Sequence, residues 1–196
     1  MARALEATGD YRVLRKIVPR SNIATPDGSL TKLAVFVDVE TTGLDPERAE
    51  IIELAMVPFN YSADGNIFEV LSPFHGLREP QSPISAEITA ITGINNAMVA
   101  GMTIDLNEVE TFIARADLIV AHNSEFDRRF LERFCTAFEH KPWGCSLSQI
   151  DWRSEGFEGA RLGYLAAGAG YFYERHRALN DFYAAIELLA MRLPKS

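Results

Sequence analysis

The chain has 196 residues, 47% of them hydrophobic and 23% charged, which suits one globular domain with a sizeable core. Nineteen Lys and Arg against 27 Asp and Glu leave a net charge of −8, which excludes a protein that gathers polyanions by a bulk positive field; any nucleic-acid contact has to be local. Cys135 and Cys145 match neither a disulfide framework nor a zinc pattern, Met1 to Asp10 holds no apolar signal core, and no apolar run reaches membrane-spanning length, so a soluble, cytoplasmic protein with reduced, ordinary thiols and no membrane partner is expected.

Residues 1–32 read as an N-terminal extension, a short helix and then a loop, with turn residues at Pro26, Asp27, Gly28 and Ser29. Residues 33–196 read as the main domain. Leu33, Ala34, Val35, Phe36 and Val37 form a continuous apolar run ending at Asp38, the pattern of a strand buried on both faces. A second run from Ile51 to Phe59 follows a short loop, and Ala63, Asp64 and Gly65 turn the chain into a third strand near Phe68 to Leu71, giving a meander. Helical spacing then takes over at Leu106, Val109, Phe112 and Ile113. A short buried strand follows at Leu118 to Ala121, then helical stripes at Phe126 to Phe134 and at Leu179 to Leu193. This order predicts an α/β domain: a central mixed five-stranded sheet, three antiparallel strands followed by parallel ones, flanked by helices.

Three blocks place acidic or imidazole groups against this apolar background. Asp38 and Glu40 end the first long strand, and a period of two points them to one side. A paired charge there is costly unless compensated, and a divalent cation compensates it; the plainer reading is a solvated strand end. In the second block, Ala121 to Asp127, a strand runs into a helix that Ser124 is placed to cap, and Asp127 falls in its first turn, where simple compensation of the helix dipole also explains an acid. In the third, His176 and Asp181 are five residues apart and converge only if His176 precedes the last helix; otherwise they are exposed polar groups. Together, Asp38, Glu40, Asp127 and Asp181 supply four carboxylates from three elements with one histidine beside them. That set suits two divalent cations, Mg²⁺ or Mn²⁺, at a phosphodiester, with His176 as the base that takes the proton of water.

The motifs Asp38-Val39-Glu40-Thr41-Thr42-Gly43-Leu44, Ala121-His122-Asn123 with Phe126-Asp127, and His176 with Ala178 and Asp181 resemble the DEDDh branch of the 3′–5′ exonucleases. That family includes bacterial polymerase proofreading subunits, ribonuclease T and oligoribonuclease. The likeness covers about residues 33–193 and fills all five active-site positions. It implies a ribonuclease H-like fold, with Asp38, Glu40, Asp127 and Asp181 as metal ligands, Asp38 bridging both cations, and His176 as general base. It further implies that Thr41, Thr42 and Leu44 contact the terminal nucleotide and its neighbour, and that Asn123 supports the site. Many relatives carry an acid at the position of Asn180, and the first 32 residues have no counterpart in the minimal family domain.

The expected activity is release of nucleoside monophosphates from the 3′ end of single-stranded nucleic acid, DNA in preference to RNA. A free-standing nuclease is expected, with no polymerase partner indicated. The alternatives are an RNA-directed exonuclease of the oligoribonuclease or ribonuclease T kind, a non-catalytic binding module of the same fold, and a metal-dependent phosphatase, which would not need the second and third blocks. Arg128, Arg129, Arg161, Arg175 and Arg177 read first as solvated, Trp143, Trp152, Tyr171 and Tyr173 as packing residues, and His75 and His140 carry no assigned role.

Overall fold

A computed structural model describes residues 1–174 and 177–193. The first 32 residues hold a short helix, α1 (Ala2–Glu6), and a two-residue strand, β1 (Arg15–Lys16). The antiparallel meander follows as β2 (Thr31–Thr41), β3 (Ile51–Ser62) and β4 (Ile67–Val70). The chain continues with β5 (Phe74–Leu77) and three helices, α2 (Ala86–Thr92), α3 (Asn96–Val99) and α4 (Leu106–Ile113). Then come β6 (Leu118–Ala121), α5 (Ser124–Phe134), a 3₁₀ turn at Thr136–His140 and β7 (Trp143–Cys145). Helix α6 (Leu162–Gly168), strand β8 (Tyr171–Phe172) and helix α7 (Ala178–Leu189) complete the elements.

The main sheet runs β4-β3-β2-β6-β7, with β2 antiparallel to β3 and parallel to β6, and β6 parallel to β7. This is the expected mixed sheet of five strands in width, with a sixth piece the apolar pattern does not reveal. Since β2 occupies one edge of β3, both β4 and β5 pair with the other edge, β4 against Phe59–Tyr61 and β5 against Glu53–Met56. Pro58 explains the interruption between them: its carbonyl accepts from Leu71 N at 2.8 Å, so its missing N–H falls on the same edge and the ladder breaks there.

Alternation along β2 divides the core. Val35, Val37 and Val39 pack with Val109, Ile113, Phe130 and Leu131 of α4 and α5. Ala34 and Phe36 pack on the opposite face with Leu165, Phe182 and Ile186 of α6 and α7, and the Phe36 and Phe182 rings meet edge to face at 5.5 Å. Asp38 and Glu40 continue the even-numbered set, so the period that buries Phe36 aims both carboxylates toward the α7 side. No helix among the described residues is long and apolar enough to cross a membrane.

Candidate active site

The parallel strands β2, β6 and β7 end at the same side of the sheet, and the acidic residues gather there, outside the carboxyl ends where open α/β sheets bind ligands. β2 contributes Asp38 and Glu40. β6 ends at Ala121, and Asn123, at φ 84°, turns the chain into α5; it is the one non-glycine residue with positive φ among the described residues. Asparagine tolerates this left-handed conformation better than most side chains. Asn123, not Ser124, is therefore the N-cap of α5, and it makes no side-chain capping bond. Ser124 is already the first helical residue. Asp127 lies in the first turn as expected, is 3% exposed, and accepts a hydrogen bond from Val39 N at 3.2 Å, which ties α5 to β2 beside Asp38. Helix α7 contributes Asp181, whose carboxylate accepts from Tyr173 Oη at 2.9 Å and from Arg177 N at 3.2 Å.

One carboxylate oxygen from each of Asp38, Glu40 and Asp181 lies within 4.8 Å of the others, a spacing that fits a shared cation. Asp127 joins them electrostatically. Burial first, then the charges of Asp127, Asp181, Glu40 and Glu53, push the Asp38 carboxyl far above its usual range. Burial, then Asp181 and Glu53, raises Glu40 to about 8 against a partial lowering by Arg177. Burial also raises Asp127 to about 8, against the hydrogen bond from Val39. Among the described residues, the upward shifts of Asp38, Glu40 and Asp127 mark a site where negative charge is costly and positive charge would be favoured. All-oxygen donors of this kind suit Mg²⁺ or Mn²⁺.

The loop after β2 is closed on itself. Thr41 Oγ1 donates to Gly43 O at 2.6 Å, Thr42 N to Glu50 O at 2.9 Å, and Glu50 N to Thr42 Oγ1 at 2.9 Å. Leu44 stands out from this loop, 84% exposed. His176 and Arg175 lie outside the described residues. His122, in the second block, places Nδ1 2.9 Å from Ser146 Oγ, and burial holds its proton affinity below the usual imidazole value despite a bond toward Ala160.

Several residues that the sequence leaves without a role prove central. Glu53, on β3 directly opposite Glu40, is 1% exposed and ion-paired. Its carboxylate meets His75 Nε2 at 2.7 Å, Arg177 Nη2 at 3.1 Å and the Ala178 N–H at 3.2 Å. Burial acts to raise its pKa, but these three partners outweigh it and hold Glu53 below its usual value. The readable signal was a lone acid inside the apolar run Ile51, Ile52, Leu54, Ala55. Tyr173 is likewise more than packing, through its bond to Asp181. Asn180 donates from Nδ2 to Glu174 O at 3.0 Å. Cys145, a free thiol, is not ordinary either: burial raises its pKa, yet hydrogen bonds from Ser148 and Ser124 lower it to about 6.

The exonuclease family model matches residues 35–189, which includes every one of these acids. The chain belongs to this exonuclease family, an enzyme family of hydrolases, and its fold is ribonuclease H-like. The DNA polymerase III subunit epsilon of Aquifex aeolicus is 31% identical over 170 residues, covering 83% of this chain and 81% of that protein. A PolC-type DNA polymerase III from Caldanaerobacter subterraneus subsp. tengcongensis is 27% identical over 98% of this chain, which spans 14% of that much longer protein. A solved structure of exonuclease X in complex with 5′-overhanging duplex DNA aligns at TM-score 0.58 and 28% identity, covering 80% of this chain and 89% of that one.

Proposed function

We propose that the protein is a metal-dependent 3′–5′ exonuclease that releases nucleoside monophosphates from the 3′ end of single-stranded DNA. The observation that carries this reading is the convergence of Asp38, Glu40 and Asp181 within 4.8 Å, next to buried Asp127, where burial and mutual repulsion raise the carboxyls of Asp38 and Glu40. Asp38, Glu40, Asp127 and Asp181 would hold two divalent cations, Mg²⁺ or Mn²⁺. Bound there, the cations supply Lewis-acid chemistry at the scissile phosphate and its attacking water. His176 takes the proton from that water; the role rests on its place in the third block of the sequence. The backbone at Thr41 and Thr42 and the exposed side chain of Leu44 receive the terminal nucleotide, and Asn123 shapes the turn that carries Asp127.

DNA is favoured over RNA because the polymerase relatives act under a DNA polymerase name and the exonuclease X neighbour was solved with DNA. The net charge of −8 is compatible with a polyanionic substrate because the cations, rather than lysines, meet the phosphate. The test is digestion of 5′-labelled single-stranded DNA and RNA of one sequence with Mg²⁺, Mn²⁺ or EDTA, beside Asp38→Ala. A metal-dependent ladder that shortens from the 3′ end, absent in the variant and faster on DNA, is expected. Faster loss of RNA would reassign the substrate, and no cleavage of either would favour a binding module.

A further inference from the structure

Residues 12–20 run along the elements that carry the third acidic block. Arg15 N donates to Gly170 O at 2.9 Å and Ile17 N to Phe172 O at 3.0 Å, so β1 and β8 form a parallel two-stranded sheet separate from the main one. Before it, Arg12 Nη2 donates to Ala167 O at 2.5 Å and Gly168 O at 3.0 Å, carbonyls at the C-terminal end of α6, where Ala167 O also accepts from Gly170 N at 3.1 Å. After it, Arg20 makes a two-pronged pair with Glu187 of α7, at 2.6 and 2.8 Å. Between these anchors Ile17 is 8% exposed, buried in the same core as Phe182 and Ala185 of α7, with Tyr171 and Tyr173 against it.

This strap holds the chain that leads directly to the site. Lys16 Nζ lies 3.3 Å from Glu174 Oε1, and Asn180 of α7 donates to the carbonyl of that same Glu174. Between Phe172, paired to the strap, and Glu174, tied to Lys16, sits Tyr173, whose hydroxyl donates to Asp181. The strap thus grips the residues on both sides of Tyr173 and, through Arg20, the helix that carries Asp181. A two-residue strand adds little stability by itself. Its placement fixes one tyrosine.

The geometry points to residues 12–20 as a positioning strap that sets Tyr173 against Asp181 and so sets the geometry of the cation site. This rests on the metal-site reading above. A partner that orients a ligating carboxylate typically changes metal affinity or activity by roughly 10- to 100-fold when removed. Energetic coupling between the strap and Tyr173 is the signature that separates positioning from mere support of the fold.

The test uses the full chain and calorimetric Mn²⁺ titration, with melting temperature measured in parallel. Arg12 and Lys16 are exposed, so the double variant Arg12→Ala, Lys16→Ala should fold; Ile17→Pro removes the backbone donor outright, and Ile17→Val should restore wild-type behaviour. Tyr173→Phe deletes only the hydroxyl. The expected result is Mn²⁺ affinity about tenfold weaker in Tyr173→Phe and weakened in the strap variants, with little further loss when strap and tyrosine changes are combined. Wild-type Mn²⁺ affinity in the folded strap variants, or losses that simply add, would overturn the proposal alone. Failure of the wild type to bind Mn²⁺ would overturn the metal-site reading and the strap's role with it.

Discussion

Glu40 and Glu53 face each other across two adjacent strands, both in surroundings poor in water, and they are shifted in opposite directions. Like charges directly opposite in a ladder destabilise a sheet. At Glu53 the protein answers with Arg177, His75 and the first N–H of α7, which outweigh the effect of burial. At Glu40 the described residues supply a partial offset from Arg177, and its neighbours are Asp38, Asp127 and Asp181. One carboxylate is satisfied from within the fold and belongs to its framework. The other is left open among the described residues, and a cluster of acids of this kind is where a cation, and hence chemistry, would be accommodated.

The comparison can be broken at either member. The largest effect is expected in the open half: on the proposed role of His176 as base rather than ligand, His176→Ala should lower turnover by roughly 10²- to 10⁴-fold while Mn²⁺ binding persists. Single-turnover digestion with a parallel Mn²⁺ titration checks this, and wild-type turnover would remove His176 from the reaction. In the framework half, Glu53→Gln keeps the shape but removes the charge that holds Arg177 and the start of α7. Metal affinity or activity should fall by about 10- to 100-fold, with lowered melting temperature. Unchanged kinetics in Glu53→Gln would mean that Glu53 only fills space. The smallest effect is expected outside both halves: Leu44→Ala should raise KM for short oligonucleotides severalfold. Its melting temperature should not move, since the side chain is 84% exposed; an unchanged KM would show that the leucine does not touch substrate.

Much of the open half can be read from local pattern. A period of two puts Asp38 and Glu40 on one face, the strand-to-helix transition puts Asp127 in a first turn, and apolar runs delimit β2, β3, β6 and α7. The framework half is written in contacts between residues far apart in the chain, which periodicity does not encode. Arg177 and Glu53 are separated by 124 positions, and Arg12 and Ala167 by 155. Asn123 as the cap of α5 depended on a left-handed backbone turn, whereas residue type, which ranks asparagine and serine alike as caps, does not separate it from Ser124. The split of the sheet edge into β4 and β5 depended on which edge the nitrogen of Pro58 faces.

The most direct measurement is the melting temperature against pH, from about pH 5 to about pH 8, with and without Mn²⁺. Glu40 and Asp127 are raised in the folded chain from 4.5 and 3.8 to about 8. The folded state therefore holds protons that the unfolded state has released, and the stability this gives is complete below the unfolded values and is lost as pH rises through about 8. Glu53, shifted downward, acts with the opposite sign, losing its contribution only as pH falls through its lowered value. Without Mn²⁺ the melting temperature should decline across that range, and Mn²⁺ should restore it most strongly at the alkaline end, where the carboxylates are free to bind. A melting temperature at the alkaline end that does not respond to Mn²⁺ would contradict a cation site at Asp38, Glu40, Asp127 and Asp181.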